Sequence, residues 1–117
     1  MKPKYSFFNN ARYALEGILA MLRYEMAFRL ELLVIIPALI LNFFLPLSLL
    51  EHLFLAFVLF LILIVEALNS AIESCVDLVT EDFKTKAKIA KDCASAAVFF
   101  SVLLALFSWF FVLLGLL

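Results

Sequence analysis

Charge and glycine are both scarce in this sequence. Only 16% of its 117 residues are charged while 68% are apolar, and mean hydropathy is +1.17. A soluble domain is about half apolar, so a water-soluble globule is excluded, and one membrane domain over residues 1–117 is the natural reading. The only glycines are Gly17 and Gly115. Loops that wrap phosphate in backbone N–H groups need several, so neither a P-loop nor a Gly-rich kinase loop can be built. The two cysteines, Cys75 and Cys93, are separated by seventeen residues with no histidine beside them. That spacing argues against zinc and for packing residues within the membrane.

Basic residues are missing from two long tracts, between Arg29 and Lys84 and after Lys91. Three apolar stretches occupy most of that territory, at about 30–50, 53–79 and 94–117. Each is long enough for a hydrocarbon core, which needs about 20 residues. The first starts too late for a secretory signal. Lys2, Lys4, Arg12, Arg23 and Arg29 precede the first stretch, and Lys84, Lys86, Lys88 and Lys91 lie between the second and third. All nine basic residues obey one topology, with the N-terminus and the 80–92 loop cytoplasmic and the C-terminus outside. Residues 5–24 mix Phe7, Phe8, Tyr13, Leu15, Ile18, Leu19 and Leu22 with Arg12, Glu16 and Arg23. A frayed tail would leave those apolar groups in water, so an amphipathic helix lying in the cytoplasmic interface is expected. The predicted fold is therefore an all-α membrane protein with three transmembrane helices and an N-terminal surface helix.

What the apolar stretches do contain is a line of acids. In VEALNSAIESCVDL, Glu73 follows Glu66 by seven residues and Asp77 follows it by eleven. At about 100° per residue these positions fall about 20° short of two turns and about 20° past three. Asn69 and Ser70 flank the same line. Counting at about 1.5 Å per residue from Leu53 puts Glu66 about 10 Å below the cytoplasmic boundary, Glu73 near it, and Asp77 among the headgroups. An acid at mid-helix costs about 2.5–3.5 kcal/mol on insertion scales. Asn69 and Ser70 are ordinary helix–helix glue, but three aligned acids are not, because neutral residues would hold helices without the charge.

Two functional classes fit the stripe: a cation or proton pathway, or chemistry at the membrane surface on a phosphorylated co-substrate. Carboxylates bind Mg²⁺ together with substrate phosphates. Lys84, Lys88 and Lys91 share a face if their segment is helical, and the start of the third span favours phosphate as well. Taken singly, each lysine is accounted for by topology; Lys91 stands apart because it sits beside Asp92 at the mouth of the stripe. A relay should continue across the membrane, yet nothing in the second stretch between Glu51/His52 and Glu66 can carry a proton. The asymmetry favours surface chemistry over transport.

EALNSAIESCVDL, then AKDCASAAV, with EMAFRLE upstream at matching distance, resembles the prokaryotic diacylglycerol kinases over about Tyr13 to Trp109. These are small trimeric integral-membrane enzymes. The resemblance implies ATP-dependent phosphorylation of diacylglycerol to phosphatidic acid at the bacterial cytoplasmic (inner) membrane, with Mg²⁺ and ATP. It implies Glu66 as the base for the lipid hydroxyl and Glu25 and Glu73 as metal-binding acids. It further implies Tyr13, Asp82, Lys84, Lys91 and Asp92 at the nucleotide, Arg29, Glu31, Ser95 and Trp109 along the lipid, and Asn69 and Asp77 in support. Undecaprenol kinases resemble the chain equally at EALNSAIE and AKD, and the Arg29–Glu31 neighbourhood leans toward diacylglycerol. Two departures touch the nucleotide periphery: Phe83–Lys84, where an aromatic residue and histidine are common, and Ser6, where an arginine is expected and Lys4 is the available substitute.

Overall fold

The computed structural model describes residues 6–117, which form four α-helices: α1 (Phe7–Tyr24), α2 (Met26–Phe44), α3 (Leu49–Val79) and α4 (Thr85–Leu114). No strand occurs among the described residues. The last three helices are long and apolar enough to cross a membrane. The architecture is the all-α one expected. Lys2, Lys4 and Tyr5, the first residue of the expected surface helix, lie outside the described residues.

The helices run further than the apolar stretches. α2 begins at Met26 and α4 at Thr85, because backbone hydrogen bonding continues through polar, helix-favouring residues such as Lys86–Asp92 that hydropathy does not register. The true loop between α3 and α4 is only residues 80–84. α2 stops at Phe44, where Pro46 forces Leu45 into extended backbone (φ −78°, ψ 145°). Pro37 is accommodated inside α2. α3 opens with a capping box: the Glu51 N–H donates to Ser48 Oγ (3.2 Å) and the Ser48 N–H to Glu51 Oε1 (3.0 Å). Ser6 has a local role of its own, since its Oγ accepts from the Asn9 N–H (3.4 Å) and caps α1.

Packing follows a three–four spacing. On α3 the buried residues include Leu55, Leu59, Ile62, Glu66 and Asn69, alternating steps of four and three. On α2 they are Phe28, Ile35 and Asn42, seven apart, and on α4 they are Ala94, Ser101 and Ala105. Such seams keep one face of each helix on its neighbour at a shallow crossing angle. The small residues on α4 let it approach α3 closely, and α3–α4 is the most extensive interface. Ile35, Val58, Leu59, Ile62 and Ala105 form the core, with Trp109 packed against it. Cys75 and Cys93 are both exposed on the chain rather than packed in this core.

Two polar devices close the hairpins. At the end away from the basic residues, Asn42 Nδ2 donates to the His52 carbonyl (2.9 Å) and His52 Nδ1 lies 2.9 Å from Asn42 Oδ1. The amide oxygen can only accept, so His52 Nδ1 carries the proton in this pair. At the other end α1 meets α2 through a single extended residue, Glu25 (φ −113°, ψ 105°). Arg29 Nη1 reaches back to the carbonyls of Leu22 (2.9 Å) and Arg23 (3.2 Å), tying the elbow together. No residue of α1 is buried; Phe7, Phe8, Leu15, Leu19 and Leu22 remain exposed, as an interfacial face requires.

Candidate active site

The acid stripe is the continuation of the α3 core seam. Leu55, Leu59 and Ile62 give way in register to Glu66, Asn69 and Glu73, so a packing face becomes a polar one without leaving the helix–helix interface. Glu66 is 3% exposed. The carboxyl of Glu31, three residues after Phe28 on α2, lies against that of Glu66. Asn69 Nδ2 donates to Glu73 Oε1 (3.0 Å). Asn69 Oδ1 and Ser70 Oγ are buried without partners among the described residues. Unsatisfied polar groups of this kind are what an incoming hydroxyl or cation would engage.

The contact between Glu31 and Glu66 was not derivable from the stripe alone. Its signal was the seven-residue spacing of Phe28, Ile35 and Asn42, which places Glu31 on the inner face of α2. Arg29, two residues earlier, points about 160° away from Glu31. It serves the elbow instead and is not brought to Glu66 within the chain.

Glu25 opens onto a groove of about 380 Å³ between the elbow and α3, shared with Tyr24, Ser70 and Ser74. Glu73 is held by Asn69. Among the described residues, no group of three or more His, Cys, Asp or Glu converges on a metal position. Glu25 and Glu73 are nonetheless hard oxygen donors of the kind Mg²⁺ takes in ones and twos beside phosphate. Tyr13 lies about 18 Å along α1 from Glu25, its ring 5.8 Å from the Arg12 guanidinium.

Above the stripe, at the end where the basic residues gather, a second pocket of about 420 Å³ is formed by the end of α3, the 80–84 loop and the start of α4. It brings together Asp77, Asp82, Lys84, Lys88, Lys91 and Asp92, all named from the sequence. Lys91 Nζ is 2.6 Å from Asp77 Oδ1, joining α4 to α3. Lys88 Nζ is 2.5 Å from Asp92 Oδ2 along α4. The Asp82 N–H donates to Thr80 Oγ1 (3.1 Å), which shapes the turn. Ser95 is exposed one turn beyond Lys91. Trp109 is about 27 Å along α4 from Lys91, so it stands deep beside the core, with its Nε1 buried and unpartnered among the described residues.

A helical bundle of this kind, with a carboxylate site buried at one end beneath a lysine-lined pocket, defines a small integral-membrane protein built to join an apolar phase to an ionic one. The sequence matches the family described as prokaryotic diacylglycerol kinase over residues 12–113. It is 40% identical to the diacylglycerol kinase of Pseudomonas aeruginosa over 107 residues, 92% of this chain and 87% of that protein. The diacylglycerol kinases of Escherichia coli (strain K12) and Haemophilus influenzae are 33% and 31% identical, covering 85% and 86% of this chain and 81% and 86% of those proteins. The chain belongs to the prokaryotic diacylglycerol kinase family.

Proposed function

We propose that this protein transfers the γ-phosphoryl group of ATP to the primary hydroxyl of diacylglycerol, forming phosphatidic acid at the cytoplasmic face of the membrane. The observation that carries the reading is the change of the α3 seam from apolar to acidic at Glu66, about 15 Å along α3 below the lysine-lined pocket. Glu66 takes the hydroxyl proton as the oxygen attacks phosphorus. Its depth, just under the headgroups, is where a lipid alcohol lies. Lys91 leaves Asp77 for the transferring phosphoryl group and offsets its charge. Asn69 orients Glu73 through their hydrogen bond. Glu25 and Glu73 would hold Mg²⁺, which when bound neutralises phosphate charge. With no glycine loop available, transfer rests on side-chain positioning and charge, which is most of what this reaction asks of a protein.

Arg29, Glu31, Ser95 and Trp109 line the lipid path in this reading, and Tyr13, Asp82, Lys84 and Asp92 the nucleotide. The three membrane helices and the surface helix act as one membrane domain. The orientation places the cluster of Arg23, Arg29 and the α4 lysines in the cytoplasm, as the positive-inside rule requires in a bacterial inner membrane. The homotrimer follows from the family resemblance.

A proton relay has no support on the far side. Leu55, Val58, Leu59 and Ile62 fill that half of the seam, and its polar pair, Asn42 and His52, satisfy each other. Purified protein given radiolabelled ATP and either diacylglycerol or undecaprenol tests the reading. Label is expected in phosphatidic acid, and Glu66→Gln should remove it while folding and ATP binding persist. Label on the polyprenol alone would reassign the substrate, and full activity of the Glu66 variant would remove Glu66 from the base role.

A further inference from the structure

Lys88 belongs to none of the positions that the resemblance assigns, yet it rims the same pocket as Lys91. The two ammonium groups are handled alike. Asp77 on α3 holds Lys91 at 2.6 Å, and Asp92 on α4 holds Lys88 at 2.5 Å. The pocket carries four acids, Asp77, Glu81, Asp82 and Asp92, against three lysines, Lys84, Lys88 and Lys91. A polyphosphate therefore enters a site that is net acidic by one charge, and by two if Lys88 is lost. Asp92 would then meet phosphate uncompensated.

Resting on the kinase reading, we propose that Lys88 is a second phosphate-binding lysine, which exchanges the Asp92 carboxylate for a phosphate oxygen of the bound nucleotide. The exchange is geometrically inexpensive. Both the lysine and its aspartate are exposed, so the ammonium can turn from carboxylate to phosphate by rotating about its own side chain without moving a helix. A helical i,i+4 pair with no further duty would give up only helix stability. A phosphate ligand gives up nucleotide affinity.

The test is steady-state kinetics with ATP and diacylglycerol in mixed micelles, together with direct binding of a fluorescent ATP analogue. Lys88→Met should raise KM for ATP and the analogue Kd by about three- to tenfold, as expected for one partly exposed charge-assisted contact. The change in kcat and in KM for the lipid should be much smaller. Lys88→Arg should recover most of the loss. Lys86→Met, which removes an equal charge outside this pocket, serves as the control. An unchanged KM and Kd in Lys88→Met, with or without a lowered melting temperature, would overturn the inference and leave the kinase reading intact. An equal rise in Lys86→Met would overturn it too, by showing a general surface-charge effect. A wild-type protein that transfers no phosphate to lipid would overturn the kinase reading and this inference with it.

Discussion

Replacing Glu66 with leucine should make this protein more stable and inactive. The position lies on the α3 seam between Ile62 and Asn69, buried to 3% exposure and facing Glu31. Leucine would extend the run Leu55, Leu59, Ile62 by one step in the same three–four register. An acid at the centre of a membrane helix costs about 2.5–3.5 kcal/mol, and the penalty falls toward the interface. At about 10 Å inside the boundary, roughly half should remain, so relief of about 1–2 kcal/mol is expected. Trp109 is the only tryptophan and packs against the core, so its fluorescence during denaturant titration in micelles reports unfolding directly. Phosphotransfer should fall by about 10²- to 10⁴-fold, the usual worth of a positioned general base. A variant that is less stable than wild type yet still turns over would refute this reasoning, because the acid would then be structural glue.

Other outcomes follow from the same geometry. Asn42→Ala should destabilise the fold by about 1–3 kcal/mol, through two lost hydrogen bonds and the polar groups left behind on His52. Since Asn42 is about 16 Å along α2 from Glu31, kcat at moderate temperature should be unaffected; thermal inactivation and kcat measured side by side check this. Lys91→Met should lower kcat about 10²- to 10³-fold by removing charge stabilisation of the transferring group. Its melting temperature should barely move, because the Asp77 pair is largely exposed. A drop in stability that matched the drop in activity would make Lys91 a helix staple instead.

Hydropathy and charge distribution made the three spans readable, because burial in lipid imposes long apolar runs. The ends of the helices were less legible. Lys86–Asp92 looks like a loop to a hydropathy scale, yet it is helix, since backbone hydrogen bonds do not depend on lipid. The acid line at Glu66, Glu73 and Asp77 was visible from spacing within one helix. Its meeting with Glu31 needed two helices in register, and that register was encoded in the seven-residue spacing of Phe28, Ile35 and Asn42. The Asn42–His52 pair went unread because neither residue belongs to a periodic pattern spanning the link. Lys88 was visible on the lysine face, but its pairing with Asp92 is a rotamer choice that no spacing reveals.

The one-residue elbow at Glu25 carries a consequence for how the protein meets bilayers of different thickness. In the proposed orientation α1 floats at a height set by its apolar face, and α2 starts a single residue later, tied by Arg29. Glu25 is thereby moored to the water surface as a float is to its line. α2 is about 28 Å long, near the thickness of a hydrocarbon core. Mismatch therefore falls on the far end, at Leu45–Ser48, where tilt and loop can absorb it. The protein should thus keep its chemistry at a constant depth from the cytosol while the opposite leaflet thins or swells.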